Sequence, residues 1–207
     1  MNAGVLDGVA EGAAPEPISD TASPECIRWP FPLVAARVRL RPLKTADLGA
    51  FLAYRADPDV GRYQGWSPMS EVDGRNFIES MLDVQGPALG AWVQLAIALR
   101  DNDRLIGDVG VHVSPDGQTA QIGYSCATAF QRKGLATEAV QALVSAIVEH
   151  TMCSQIRATV DRRNIPSERL LLRLGFDAIE ATRTVFRGEE CVEVSYARNT
   201  ERPRGSP

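Results

Sequence analysis

The order of apolar and polar positions divides the chain into segments of strand and helix period. From Arg37 to Leu43 the sequence RVRLRPL sets Val38, Leu40 and Leu43 among arginines, the alternation of a strand open on one face. Thr45 is placed to cap a helix with Asp47 in its first turn, and Leu48, Phe51 and Leu52 recur at helical spacing until Asp57 and Pro58 stop it. Ser70 with Asp73 resembles a capping box and predicts a second helix carrying Phe77, Ile78, Met81 and Leu82, ended by Gly86, Pro87 and Gly90.

The middle of the chain changes period. Val93, Leu95, Ile97 and Leu99 alternate with Gln94, Ala96 and Ala98. After a turn at Asp101–Asp103, Leu105, Val109, Val111 and Val113 fall on one face, and after Pro115–Gly117 so do Ile122, Tyr124 and Cys126. Short turns between three such runs predict an antiparallel meander. A helix is then expected from Gly134, with Ala136, Ala139, Val140, Leu143, Val144 and Ile147 on its buried stripe. Gln155–Val160 reads as a short strand. Asn164 caps a further helix with Pro166 in its first turn, Leu170, Leu171 and Leu174 on its apolar side and Gly175 as terminator. A hairpin closes the chain, from Ala181 to Arg187, through Gly188, to Cys191–Arg198. The expected fold is mixed α/β, with about seven mostly antiparallel strands and about four helices around one sheet.

Composition narrows the class. The 207 residues are 44% hydrophobic and 23% charged, enough for one domain with a real core and unlike a disordered chain. Residues 1–34 mix Ala, Gly, Pro and acidic side chains without period and are expected to form a flexible arm; the alternative is docking on a partner subunit. The domain proper is expected over 35–198 and a polar tail over 199–207. No basic stretch precedes an apolar one, so no secretory signal is expected, and no apolar run is long enough to span a bilayer. A net charge of -4 disfavours a broadly basic nucleic-acid binder. Cys26, Cys126, Cys153 and Cys191 form no CxxC pair and only His112 and His150 accompany them, so neither a zinc site nor a disulfide framework is expected; free thiols in a reducing cytoplasm fit.

The informative stretch is IGYSCATAFQRKGLATEA, from Ile122 to Ala139. A strand ends, a loop carries Gln131, Arg132, Lys133 and Gly134, and a helix begins at once. The first amides of a helix lack intrahelical partners and the macrodipole is positive there. Gly134 permits close backbone approach, and Arg132 and Lys133 add positive charge, which together suit a diphosphate. A Walker loop fits poorly because Leu135 follows Gly134, and a dinucleotide fingerprint fits poorly because Gly134 is the loop's single glycine. By itself the loop is equally an ordinary strand-to-helix turn.

Four motifs in order carry a family resemblance. QRKGLA is similar to the pyrophosphate-binding signature of the GNAT N-acetyltransferase superfamily. IGYSCATAFQRKGLATEAV and NIPSERLLLRLGF (Asn164–Phe176) resemble the branch containing ribosomal-protein N-terminal acetyltransferases, and RLRPL and RYQGW (Arg62–Trp66) are similar as well. The resemblance spans roughly Arg37 to Arg198 and implies a sheet splayed in its middle.

It also implies roles. Backbone amides of Arg132, Lys133, Gly134, Leu135, Ala136 and Thr137, with Gln131 in the same loop, would hold the pyrophosphate of acetyl-CoA. The strand edge at Tyr124, Ser125 and Cys126 would pair with the pantetheine amides, in a gap left where this strand splays from Gln155–Val160. Asn164 would hydrogen-bond the pantetheine arm, or act as a plain helix cap. Ser167 would sit near the thioester sulfur and protonate the departing thiolate, or satisfy backbone as a first-turn serine. The backbone amide of Ser125 or Cys126 would stabilise the carbonyl oxygen. Arg169 and Arg173 would meet adenosine phosphates or be solvated. Tyr63 and Trp66, with Trp92 as a further candidate, would line the mouth for an amine acceptor, and the family hints at a homodimer. No metal, nucleic acid or membrane partner is implied.

One position departs from the branch. Gln121 stands where Glu is common, and an amide takes no proton at neutral pH. Glu193, Asp108, a water chain or the acceptor's own pKa remain as sources of deprotonation. The expected activity is acetyl transfer from acetyl-CoA to a primary amine, with a non-catalytic acyl-CoA-binding module and a nucleotide-binding regulatory domain as rivals.

Overall fold

The computed structural model describes residues 27–200. The expected arm up to residue 26, including Cys26, and the tail beyond Thr200 lie outside them. Among the described residues eight strands form one sheet and five α-helices cover it. The strands are β1 (Leu33–Val34), β2 (Val38–Pro42), β3 (Trp92–Leu99), β4 (Leu105–Val113), β5 (Thr119–Cys126), β6 (Gln155–Asp161), β7 (Asp177–Phe186) and β8 (Glu189–Asn199). The helices are α1 (Leu48–Arg55), α2 (Pro58–Gly61), α3 (Glu71–Glu79), α4 (Leu135–His150) and α5 (Ile165–Arg173). The strand order is β1-β2-β3-β4-β5-β6-β8-β7, with one parallel pair, β5 and β6.

Local chemistry explains most boundaries. Asp57 ends the reach of α1 but its carboxylate accepts from the Asp59 amide, so Asp57–Pro58 starts the short α2 as well as stopping α1. Ser70 accepts from the Asp73 amide at the start of α3. Met81 and Leu82, expected on that helix, follow its last residue. Asn164 caps α5, and Gly175 terminates it in the left-handed region at φ 78°. The final hairpin turns on Arg187 (φ 51°) and Gly188 (φ 80°), the two left-handed residues a tight turn between twisted strands needs.

The sheet has two different faces. On one, Leu95, Ile97, Val109, Val111, Ile122 and Tyr124 pack against Val140, Leu143, Ile147 and Leu171 of α4 and α5. On the other, Ala96 and Leu105 meet Phe51, Tyr54 and Ile78 of α1 and α3. Leu105 thus lies opposite to Val109, Val111 and Val113, contrary to the single face expected. The ladder slips between Ile97 and Ala98, which pair with Gly107 and Leu105 and so reverse the alternation. Residues 27–34, placed in the arm by composition, join the domain: Trp29 is buried, its amide bonds the Gln85 carbonyl at 2.8 Å, and Leu33 pairs with Leu40.

β8 inserts between β6 and β7 and pairs with β6 along the whole length of β6, from Gln155↔Asn199 to Asp161↔Glu193. β5 and β6, by contrast, pair over only three positions, ending at Gln121↔Arg157. The sheet is therefore two sub-sheets joined at one end and apart at the other.

Candidate active site

The turn between β5 and α4 is built from two left-handed residues, Arg132 (φ 59°) and Gly134 (φ 78°), with Lys133 between them. Gly134 is the N-cap of α4 and has no side chain to cap it, so the leading amides of the helix are left to another partner. Arg132, Gly134 and Thr137 on this side, with Pro166, Arg169, Leu170 and Arg173 of α5 on the other, line a cavity of about 370 Å³. The Thr137 hydroxyl is buried with no hydrogen-bond partner among the described residues. Three guanidinium groups around helix-start amides favour a polyanion. Gln131 faces inward: its side-chain amide donates to the Cys126 carbonyl at 2.9 Å and its backbone amide to Thr128 at 3.2 Å. It ties the turn to the strand end.

Beyond Gln121↔Arg157 that edge of β5 pairs with no strand among the described residues. The peptide groups that face it follow from Gly107 on β4, where an added Cβ would collide with the Ser125 carbonyl. Ser125 therefore turns its peptide groups toward β4, and by alternation Tyr124 and Cys126 turn theirs toward the gap. Two side-chain amides reach the carbonyls on that edge: Gln64 to Tyr124 at 3.4 Å and Gln131 to Cys126 at 2.9 Å. Of the two backbone donors anticipated for the carbonyl oxygen, Cys126 is on the open side and Ser125 is not.

The start of α5 faces the same gap. The Asn164 carbonyl oxygen of the side chain accepts from the Ser167 amide at 3.4 Å, and the Tyr124 hydroxyl donates to the Ser167 backbone carbonyl at 3.3 Å, so β5 and α5 are locked together. Ser167 is 0% exposed, and its hydroxyl has no partner among the described residues. A buried hydroxyl without a partner is costly to a fold. Burial pushes the Tyr124 phenol well above its ordinary range, so it stays protonated and donates. Burial also pushes the Cys126 thiol up to about 11, which leaves it inert as a nucleophile near neutrality.

On the other face of the gap sits a buried polar cluster. Asp108, directly across the ladder from Ser125, accepts from the Tyr54 hydroxyl at 2.7 Å and the Arg55 guanidinium at 3.0 Å. Arg55 is 4% exposed and lies over the rings of Phe51, Trp66 and Phe77 at 4.4, 4.8 and 5.1 Å. Asp108 is thereby a structural carboxylate, and its candidacy as a base weakens. Trp66 packs on Arg55 and against Gly61, while Tyr63 lies near Arg62 and Arg163. The hairpin tip clasps this loop: the Arg187 guanidinium donates to the Trp66 carbonyl at 2.7 Å and the Gln64 carbonyl at 3.2 Å. Glu193, half-buried, pairs across the ladder with Asp161. Trp92 packs against His112 with the rings tilted by 40°, and the strand neighbour of His112 is Gln121.

Sequence reasoning missed Gln64, Arg55 and Arg187 as parts of this region. The side-chain hydrogen bonds given above for them span between 53 and 123 residues, so no local pattern marks them. No cluster of three or more potential metal ligands occurs among the described residues, and no helix among them is long and apolar enough to cross a membrane.

Comparison with known proteins places these features in context. Residues 37–177 match a family model described as Acetyltransferase (GNAT) domain. A Bacillus licheniformis protein named uncharacterized N-acetyltransferase p20 is 30% identical over 146 residues, covering 70% of this chain and 81% of that protein. A GNAT-family acetyltransferase from Bacillus anthracis superposes with a TM-score of 0.72 at 24% identity, over 82% of this chain and 98% of its own. RimL, a ribosomal L7/L12 alpha-N-protein acetyltransferase solved with coenzyme A, superposes at 0.69 and 17% identity over 80% and 96%. At these identities the structural likeness is one of fold.

Proposed function

The chain belongs to the GNAT acetyltransferase family, and from that premise we propose that it moves an acetyl group from acetyl-CoA to a primary amine by direct attack in a ternary complex. The observation that carries this reading is the end of β5–β6 pairing at Gln121↔Arg157, beside a helix start rich in unspent amides. Such a gap accepts an extended, amide-bearing arm as a peptide accepts a strand edge. The amides of Arg132–Thr137 and the cavity arginines hold the diphosphate and adenosine phosphates. Tyr124 and Cys126 offer edge peptide groups to the pantetheine, and Asn164 contacts it from α5.

Each chemical need has a candidate. The Cys126 N–H polarises the thioester carbonyl and stabilises the charge that grows on its oxygen. As the amine nitrogen bonds the acetyl carbon, the carbon–sulfur bond breaks, the proton the nitrogen sheds ends on the CoA sulfur, and the Ser167 hydroxyl, without a partner among the described residues, hydrogen-bonds the leaving thiolate. The acceptor must be neutral to attack. With Gln121 at the usual base position and Asp108 held by Arg55, an α-amine of pKa about 8 is a better acceptor than a lysine-like amine of about 10.4. A peptide N-terminus or a small amine of similar pKa fits, entering beside Tyr63 and Trp66.

A thiol-release screen of acetyl-CoA against diverse amines and N-terminal peptides tests the proposal. Gln121 favours a second reading, a non-catalytic acyl-CoA-binding module. Tight acetyl-CoA binding with no acceptor-dependent thiol release across the panel would establish that module instead. Preference for ATP or NAD over CoA in calorimetry would overturn both.

A further inference from the structure

A single residue from the start of the sheet organises the anion-binding turn almost 100 positions later. The Arg37 backbone amide donates to one carboxylate oxygen of Glu138 at 2.9 Å, and its Nε donates to the other at 2.7 Å. Its Nη2 lies 2.6 Å from the same carboxylate and also donates to the Lys133 carbonyl at 2.9 Å. Glu138 is in the first turn of α4, so Arg37 grips the helix with one hand and the turn with the other.

The Lys133 carbonyl and the Gly134 N–H belong to one peptide unit. In a trans peptide the two point in opposite directions. Fixing the Lys133 oxygen on Arg37 therefore fixes the Gly134 N–H pointing away from Arg37. The cavity bordered by Gly134, Thr137 and the α5 arginines does not include Arg37 in its lining. The turn itself does not enforce this orientation. It carries left-handed residues on both sides of Lys133, and its N-cap is a glycine without a side chain, so rotation of that one peptide is locally cheap. Gly134 also has little room on this side, since an added Cβ would stand 3.2 Å from Arg37 Nη2.

We propose that Arg37 is a positioning residue: by holding the Lys133 carbonyl it presets the Gly134 amide for an incoming diphosphate, and so lowers the ordering cost of donor binding. The inference rests on the reading that this turn holds the diphosphate of CoA. Arg37 touches no reacting atom, and its effect is confined to donors that carry phosphates.

The test compares acetyl-CoA with S-acetylpantetheine, which lacks the diphosphate, and adds calorimetry with inorganic pyrophosphate. Arg37→Gln is expected to raise KM for acetyl-CoA and weaken pyrophosphate binding by about tenfold or more, the value of one charged hydrogen bond. It should leave kcat, and kcat/KM with S-acetylpantetheine, within about twofold of the parent. Arg37→Lys should recover part of the loss. Glu138→Gln loosens the anchor while keeping the guanidinium, and is expected to act in the same direction more weakly, which keeps the test open if Arg37→Gln folds poorly. Equal losses with both donors, or an unchanged KM for acetyl-CoA, overturn the proposal. A protein that turns over neither donor but binds pyrophosphate in an Arg37-dependent way sinks acetyl transfer and leaves the role of Arg37 standing; failure of the parent to bind pyrophosphate overturns that role.

Discussion

Gln121 and Arg157 are the last residues that β5 and β6 pair, and past them the two strands separate. β6 remains zipped to β8 and β5 to β4, so each side of the gap is backed by a continuous ladder. The opening is thus a rigid feature of the sheet, and the side chains along it set what can be done there.

Adjacency of Gln121 and Arg157 shapes one prediction. Restoring a carboxylate with Gln121→Glu sets it across the ladder from Arg157, whose positive charge lowers its pKa and weakens it as a base. Little gain in turnover of a high-pKa amine is expected from that change alone. Gln121→Glu with Arg157→Ala should raise it and shift the pH–rate profile toward lower pH. A double variant with the parent profile would exclude position 121 from proton transfer.

Gly134→Asp should weaken CoA binding by about tenfold or more, from left-handed strain on a residue with a Cβ and from added negative charge. Calorimetry on the folded variant reads this directly. An unchanged Kd would mean that the turn holds no phosphate.

Ser167→Ala removes a buried hydroxyl that has no partner among the described residues. Thermal stability should hold or rise slightly, because nothing is left unsatisfied. If the hydroxyl serves the leaving thiolate, kcat falls by about 100-fold. A drop in melting temperature with unchanged kcat would make it a structural serine.

Arg55→Ala leaves Asp108 buried without its cation and unstacks three rings. Breaking such a pair costs roughly 3–5 kcal/mol, a melting shift of roughly 10 °C for a chain of this size. Adding Asp108→Leu should return part of it, since the orphaned charge is then gone. No recovery in the double variant would show that the stacking, and not the charge, carries the effect.

Asp161 supplies a pH dependence. Burial alone pushes its carboxyl up, but hydrogen bonds from the Arg163 guanidinium and backbone hold it below the usual carboxylate range. A depressed folded pKa adds stability above the unfolded value of about 3.9, and this stability is lost as pH falls through the folded value. The stability gap between parent and Asp161→Asn should therefore be full at neutral pH and shrink as pH falls below the unfolded value of about 3.9. A gap that stays constant in denaturant titrations across that range would contradict the linkage.

Periodicity gave the order of the elements apart from β1 and the short α2, because most strands and helices declare themselves within a few residues: the β3–β5 meander, the α4 stripe and the Asn164 cap all stand where their patterns put them. The turn at Arg132–Gly134 was legible for the same reason, since left-handed residues and a helix start are local features. Tertiary structure decided the rest. The sequence contains no sign that β8 slips between β6 and β7, that the ladder shift at Ile97–Ala98 turns Leu105 to the other face, or that the Ser125 peptide turns from the gap while that of Cys126 faces it. Register is set by the packing of whole faces, and one slipped residue reverses every side chain beyond it. Likewise Arg37, Arg55 and Arg187 look like ordinary charges along the chain. Only folding brings them to the Lys133 carbonyl, the Asp108 carboxylate and the Trp66 carbonyl, and pairing across such distances is fixed by topology, which no short stretch of residues encodes.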